Sequence, residues 1–340
     1  MPDPDLWPSI LSRLIGGGSL SAAESSQALG SIMREEATPV QVAGFLMALR
    51  TKGETVDEVE GLARAMLEFA RPVTFRGSLV DTCGTGGDRA STFNISTVSA
   101  LVVAGAGVRV AKHGNRAASS RCGSADLLEA LGVKIDHEPE GVERCLAEAG
   151  IGFMFAPVFH PATAYATGIR RELRVPTIFN FLGPLTNPAR PAAQVVGVSD
   201  ARMLPLVAEV LARRRVRALV FRGLDGLDEL TTTGPSTVFR VRDGSASEGT
   251  LDPFELGLPP ATPEDLRGGE VAENLGIARR VLDGQAGPAR DVVLLNAGAA
   301  LEVAGRADSL AQGMELAATS IDSGAAGQIL ERWVEVSQSP

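Results

Sequence analysis

The chain has 340 residues, more than one compact core usually needs, so two domains or one core with an appendage is the expectation. Apolar residues make up 44% of it and aromatics only 4%, with abundant glycine, which favours tight helix and sheet packing over an aromatic-rich β-sandwich. A formal charge of −9 with so few aromatics argues against nucleic-acid binding, which wants a basic face and stacking rings; an anion would have to be held by local Arg, Lys, helix N-termini or metal ions.

The first seventy residues read as helices. Leu6, Ile10, Leu11 and Leu14 recur at helical spacing, and Gly16-Gly-Gly-Ser19 stops the run. Further helices are predicted over 21–35, 39–51 and 56–69, each entered near Ser, Thr or Pro. From Val73 the texture changes. Ser78-Leu-Val-Asp81 reads as a buried strand ending in an acid, followed by a glycine loop and a helix from about Ser96 to Ala106. Val108-Arg-Val-Ala111 is the next strand, then loop 112–123 and helix Ser124–Leu131. Phe153-Met-Phe155, Val195-Val-Gly-Val198 and Ala218-Leu-Val-Phe221 are later strands. This alternation predicts an α/β domain with a largely parallel sheet, whose ligands gather at the carboxyl ends of its strands. Segment 243–268, rich in Gly, Pro, Ser and Thr, is expected to be irregular.

Cys83, Cys122 and Cys145 are odd in number and lack metal-ligand spacing, so a reducing cytoplasm is expected rather than a disulfide framework. The start, MPDPDLWPSI, lacks the basic and apolar regions of a signal peptide, and no apolar run is long enough to span a bilayer.

Four loops carry chemistry. In Asp81-Thr-Cys-Gly-Thr-Gly-Gly-Asp88 the glycines let bare N–H groups approach an anion; a tight turn is the bland alternative. The spacing is neither Walker A nor GxGxxG. Thr92-Phe-Asn-Ile-Ser-Thr97 stands where the next helix begins, and Asn94, Ser96 and Thr97 are N-cap residue types, so this end suits a second phosphate as well as plain capping. Lys112-His-Gly-Asn-Arg-Ala-Ala-Ser-Ser120 again follows a strand and brings positive charge with short hydrogen-bonding groups. Three such loops suggest a ligand bearing a phosphate and a pyrophosphate. The fourth, Asp225-Gly-Leu-Asp-Glu-Leu230, offers adjacent acids at a strand end, suited to a hard cation such as magnesium and expected on an open loop.

With these loops in place the chain resembles a known family. Gly84-Thr-Gly-Gly-Asp88, Asn94-Ile-Ser-Thr97, Lys112-His-Gly-Asn-Arg116, Gly123-Ser-Ala-Asp126, Arg170-Arg-Glu-Leu173, Thr177-Ile-Phe-Asn180, Leu182-Gly-Pro-Leu-Thr-Asn-Pro188 and Asp225-Gly-Leu-Asp-Glu229 look like the ordered signature of anthranilate phosphoribosyltransferases. The resemblance implies attack of anthranilate at C1 of phosphoribosyl pyrophosphate, with loss of pyrophosphate, in tryptophan synthesis. It also implies a small helical domain, residues 1–72 with a returning segment near 165–185, hinged to a large α/β domain, residues 73–340, in a cytoplasmic homodimer.

Carried over, Gly84, Gly87, Asp88, Thr92, Asn94, Ile95, Ser96 and Thr97 would bind phosphoribosyl pyrophosphate, as would Lys112, His113, Gly114, Asn115, Arg116, Ala117, Ala118, Ser119, Ser120 and Ser124. Gly84, His113, Asn115 and Arg170 would meet anthranilate, and Ser96, Asp228 and Glu229 would hold Mg2+. No side-chain nucleophile or base is expected; His137 and His160 read as structural and Cys122 as packing. Three places depart from the usual pattern. Arg89 and Arg174 stand where glycine is common, and His160-Pro-Ala-Thr-Ala-Tyr165 lacks the bulky and basic side chains often found after its first three residues. A transferase of the same fold with another aromatic amine, a nucleoside phosphorylase of the related fold and a non-catalytic nucleic-acid-binding relative are the competing readings.

Overall fold

The computed structural model describes residues 5–117 and 121–339. Four helices come first: α1 (Leu6–Ile15), α2 (Ala22–Met33), α3 (Pro39–Lys52) and α4 (Val56–Glu68). The last three each open with a reciprocal cap, Ser21 with Glu24, Thr38 with Gln41 and Thr55 with Glu58, which satisfies amide groups that a helix start leaves unpaired. Glu58 also ties the helices together: fully buried, it accepts from the Leu20 amide at 2.9 Å and from Lys52 Nζ at 2.9 Å. A Cβ on Gly61 would lie 2.2 Å from the Ala22 carbonyl oxygen, so α2 and α4 meet backbone to backbone.

The chain then alternates. β1 (Val80–Gly84), α5 (Ile95–Gly105), β2 (Val110–Gly114), α6 (Ser124–Ala130), α7 (Pro139–Glu148) and β3 (Ile151–Phe155) are followed by three helices, α8 (Ala156–Phe159), α9 (Ala164–Leu173) and α10 (Phe179–Leu182). β4 (Ala193–Gly197), α11 (Met203–Arg213), β5 (Arg217–Gly223), β6 (Ser236–Arg242) and β7 (Ser245–Leu251) complete the sheet, and α12 (Val271–Leu282), α13 (Pro288–Val303), α14 (Leu310–Asp322) and α15 (Ala325–Gln338) close the chain. The 7-stranded sheet runs β3-β2-β1-β4-β5-β6-β7, parallel from β3 to β5 and antiparallel beyond. This is the predicted α/β domain with a mostly parallel sheet.

Helices cover both faces, as a parallel sheet buried on two sides requires. One apolar cluster joins α5, α13 and the C-terminal helices to Val80, Val110 and Ile151. The other joins α11 and the N-terminal helices to Val196, Val198 and Val220, so the helical layer grows directly onto the sheet. The path steps outward from β1 through β2 to β3, then restarts at β4 on the other flank. β1 and β4 are therefore the switch point, where the two crossovers diverge and leave a crevice at the carboxyl ends.

Segment 243–268 follows the irregular path expected of it beyond the short turn at Pro253–Leu256 but not before: its first part, through Leu251, is strand. Asp243 and Gly244, both at positive φ (53° and 83°), form the turn of an antiparallel hairpin between β6 and β7. A pair of left-handed residues matches the twist of two strands, which makes Asp-Gly a hairpin signal that the Ser-, Glu- and Thr-rich β7 obscured. In the returning segment, α9 packs on α2 and α3, and Tyr165 Oη donates to the Ala37 carbonyl at 2.5 Å.

Arg174, exposed, caps α9 in the left-handed region at φ 54°. A side chain there costs roughly 1–2 kcal/mol, partly offset by the extra freedom glycine gives the unfolded chain. Arg174→Gly should therefore stabilise the protein by about 0.5–1 kcal/mol in denaturant unfolding. Unchanged or lower stability would show that the arginine is not strained.

Candidate active site

Gly84 and Gly197 end β1 and β4 and face each other in register. A Cβ on Gly84 would lie 2.3 Å from Asp228 Oδ2, and one on Gly197 would lie 1.6 Å from the Asp228 carbonyl oxygen. The switch point is thus stripped of side chains so that the acidic loop can lie across it. Gly86 and Gly87 turn with φ of 66° and 82°, and the Gly86 amide donates to Asp228 Oδ2 at 2.6 Å. Ser199 pins the same loop, its Oγ donating to the Gly86 carbonyl at 2.7 Å and its amide to Thr85 Oγ1 at 3.1 Å.

Asp228 does not lie on an open loop as expected. It is 8% exposed, and burial, followed by the charge of Asp88, pushes its carboxyl up to about 7. Burial and the adjacent Asp228 likewise hold Glu229 well above the ordinary carboxylate range, opposed chiefly by the Lys112 ammonium. Oδ2 of Asp88 is buried and accepts no hydrogen bond from any described residue. Acids crowded like this repel one another, and a divalent cation would relieve them. Among the described residues no three ligating side chains enclose a metal unaided, which fits a magnesium that takes one or two carboxylates and completes its octahedron from phosphate oxygens.

At the start of α5 Asn94 occupies the N-cap position, but its side chain caps nothing. Its Nδ2 donates to the Cys122 carbonyl at 3.0 Å and its Oδ1 accepts from Asn274 at 3.1 Å. None of the three capping groups read from sequence caps the helix through its side chain. Ser96 Oγ accepts from Lys112 Nζ at 3.2 Å, Thr97 Oγ1 is buried and unpaired, and the Ile95 side chain is in the core. Thr92, half-buried, bridges to Arg267.

At the end of β2 the Lys112 ammonium points inward, donating to the Thr82 carbonyl at 2.5 Å as well as to Ser96. Burial lowers its pKa, opposed chiefly by the fully buried Asp81. Asp81 accepts from the His113 amide and from Asn187 Nδ2, which anchors the strand end. His113 Nδ1 lies 3.1 Å from the Gly183 carbonyl, its Nε2 is unpaired, and its ring sits 5.0 Å from that of His160. Burial keeps both neutral, bringing His113 down to about 3 and His160 to about 4. Gly114 faces Ser124, whose Oγ donates to the Asn115 carbonyl at 3.1 Å. Asn115 is exposed, while Arg116 pairs with Asp126 at 2.8 Å and Glu129 at 2.9 Å, and the Ala117 amide donates to Asp126. Ala118, Ser119 and Ser120 lie outside the described residues. Cys122 is buried in the core and His137 beside α7, as their structural reading expects.

Arg170 on α9 is half-buried over the Phe179 ring, 5.1 Å from its centroid, and donates weakly to Asn180 Oδ1 at 3.4 Å. Arg170 makes no ion pair among the described residues, whereas its neighbour Arg171 is exposed. Residues 179–183 touch both Arg170 and His113, linking α9 to the end of β2. Thr163 turns its hydroxyl back onto the His160 carbonyl at 2.7 Å. Sequence reasoning saw Asp81 only as the acid that ends a strand and Asn187 only as part of a motif, and it missed Gly197 and Asn274; for Gly197 a glycine closing a strand was the available signal.

The family described as glycosyl transferase family, helical bundle domain, matches residues 8–70, and that described as glycosyl transferase family, a/b domain, matches 76–327. An anthranilate phosphoribosyltransferase of Arthrobacter sp. (strain FB24) is 56% identical over 338 residues, covering 98% of this chain and 96% of the relative. That of Moorella thermoacetica is also 56% identical, over 330 residues, covering 96% and 97%. Among solved structures, the anthranilate phosphoribosyltransferase of Thermus thermophilus superposes with a TM-score of 0.92 at 46% identity, covering 97% of this chain and 99% of that one. The Saccharomyces cerevisiae enzyme, solved with phosphoribosyl pyrophosphate and Mg, gives 0.91 at 27% identity, with 99% of both chains covered. Fold, loops and relatives along the whole length agree: this chain belongs to the anthranilate phosphoribosyltransferase family.

Proposed function

We propose that the protein transfers the phosphoribosyl group of phosphoribosyl pyrophosphate to anthranilate, releasing pyrophosphate, as a step of tryptophan biosynthesis. The observation that carries the reading is the crowding of Asp88, Asp228 and Glu229 beside a glycine loop at the β1–β4 switch point, an arrangement that calls for a cation and a polyphosphate together. Asp228 and Glu229, with Ser96, would hold magnesium, which when bound supplies charge stabilisation for the departing pyrophosphate. The loop at Gly84–Asp88 and the start of α5 present N–H groups to the phosphates. Lys112, turned inward, acts through Ser96. An aromatic amine is largely unprotonated at neutral pH, so a neutral His113 contacts the acceptor and no strong base is required.

The division into residues 1–72, with the returning segment, and 73–340 is part of the same proposal. The packing of α9 on α2 and α3 supports it, since Arg170 then stands where the two units meet. Ile15 and Val40, exposed on α1 and α3, suit a homodimer formed through the helical layer. Three buried cysteines without a disulfide suit the cytoplasm, and no described helix is long and apolar enough to cross a membrane.

The test is the loss of anthranilate fluorescence, expected only when phosphoribosyl pyrophosphate and magnesium are both present. Folded protein that leaves anthranilate unchanged would overturn the proposal. Arg170, a half-buried fork with no carboxylate partner among the described residues, fits the acceptor's carboxylate in charge and geometry. Arg170→Ala should raise the KM for anthranilate about 10- to 100-fold, the worth of one charge-assisted contact. The KM for phosphoribosyl pyrophosphate should hardly move; an equal rise in both would reject the contact.

A further inference from the structure

The loop between β1 and α5 is not self-supporting. Arg89 and Ser91 both sit at positive φ, 62° and 55°, in a region that side chains occupy at a cost and hold only when their surroundings insist. What insists is a segment from the far end of the chain. Residues Leu266–Gly269 run antiparallel beside the loop: the Phe93 amide donates to the Leu266 carbonyl at 3.1 Å and the Gly268 amide to the Ser91 carbonyl at 2.8 Å. Gly268 lies flat against Phe93, where a Cβ would come within 2.7 Å of the Phe93 Cα.

Asn274, in the first turns of α12 and 2% exposed, locks this strap to the site. Its Oδ1 accepts from the Gly269 amide at 2.9 Å, and its Nδ2 donates to Asn94 Oδ1 at 3.1 Å. Asn94 is thereby fixed at both ends, since its own Nδ2 is given to the Cys122 carbonyl. With its amide held outward, Asn94 cannot cap α5.

We propose that Asn274, with the Leu266–Gly269 strap, is a positioning element of the phosphate site: it fixes the Asn94 amide and so the start of α5, without itself touching ligand. The inference rests on the functional reading above, that the start of α5 binds phosphoribosyl pyrophosphate. Asn274 acts through Asn94, and the strap acts through Phe93 and Ser91. Loss of the Asn274–Asn94 bond should therefore loosen phosphoribosyl pyrophosphate and leave the acceptor side alone.

Asn274→Asp separates these roles. A carboxylate still accepts from the Gly269 amide, so the strap stays attached, but it cannot donate to Asn94 Oδ1. The variant should raise the KM for phosphoribosyl pyrophosphate about tenfold, as expected for one buried hydrogen bond, and weaken its calorimetric binding with magnesium to match. The KM for anthranilate should stay within about twofold. Unchanged constants, or a parallel rise in both, would overturn the inference, as would a fall in thermal midpoint alone. Should the variant not fold, hydrogen exchange of the native protein decides: magnesium and phosphoribosyl pyrophosphate should slow exchange at the Phe93, Gly268 and Gly269 amides, and unchanged exchange would overturn the proposal. Native protein that binds no phosphoribosyl pyrophosphate in the same titration refutes the functional reading; native binding matched by Asn274→Asp refutes only the role of Asn274.

Discussion

Replacing Asp228 with Asn and Glu229 with Gln together should cut phosphoribosyl transfer by about a hundredfold or more, yet raise the thermal midpoint of the ligand-free protein. The first effect follows from the loss of charge that would hold the cation opposite the departing pyrophosphate. The second follows from burial. Both carboxylates are held above their ordinary range by desolvation, Asp228 further by the charge of Asp88 and Glu229 further by the charges of Asp228 and Asp88, so the folded state resists their ionisation. The neutral replacements keep an oxygen for the Gly86 amide. A carboxyl raised in the folded state contributes stability that is fully present below its unfolded pKa of about 4 and lost as pH rises through the folded value. For Asp228 that value is about 7. Native and variant midpoints should therefore draw together towards acid and separate most above neutrality. Differential scanning fluorimetry from acid to alkaline pH without magnesium measures this. A variant that is less stable at alkaline pH, or still active, would mean that the acids are neither strained nor ligands.

Gly197→Ala should be nearly as damaging to turnover, although the residue has no side chain of its own. Its Cβ would come 1.6 Å from the Asp228 carbonyl oxygen and 2.4 Å from the carbonyl carbon, distances no side chain tolerates. The obstacle is backbone, so no rotamer change relieves it, and the loop carrying both acids must lift by more than an ångström. A displacement of that size in a reacting geometry costs about a hundredfold. Overpacking of this kind also lowers stability by about 1–3 kcal/mol. Gly327→Ala on α15 is the control: nothing stands within 4 Å of its Cβ, so it should stabilise slightly and leave activity alone. If Gly197→Ala turns over normally, the acidic loop is not held by the strand ends.

The parts of the site that depend on neighbours in sequence were legible. Glycines in Gly84-Thr-Gly-Gly-Asp88, caps at Ser21, Thr38 and Thr55, and apolar strand runs are local signals with local causes. What depends on distant neighbours was not. Asp228 reads as a surface acid because an Asp-Glu pair usually is one, and the glycines at 84 and 197, both distant in sequence, make room to bury it. Asn94 reads as a cap because its type and place suit capping, and the Cys122 carbonyl together with Asn274, 180 positions later, redirects its amide. The hairpin at Asp243-Gly244 carried its own signal, but composition outweighed it.

The strap from Leu266 to Gly269 also has a consequence in time. The loop it clamps is made early in synthesis, while Asn274 is translated 180 residues after Asn94. At roughly 5–20 residues per second, a nascent chain carries that loop without its support for about 10–40 seconds. The parallel core strands β1 to β5 have emerged by then, so the sheet can assemble before the loop sets. The loop's final shape arrives with the last third of the polypeptide, and a ribosome-bound fragment that ends before α12 holds the sequence of the glycine loop without the strap that shapes it.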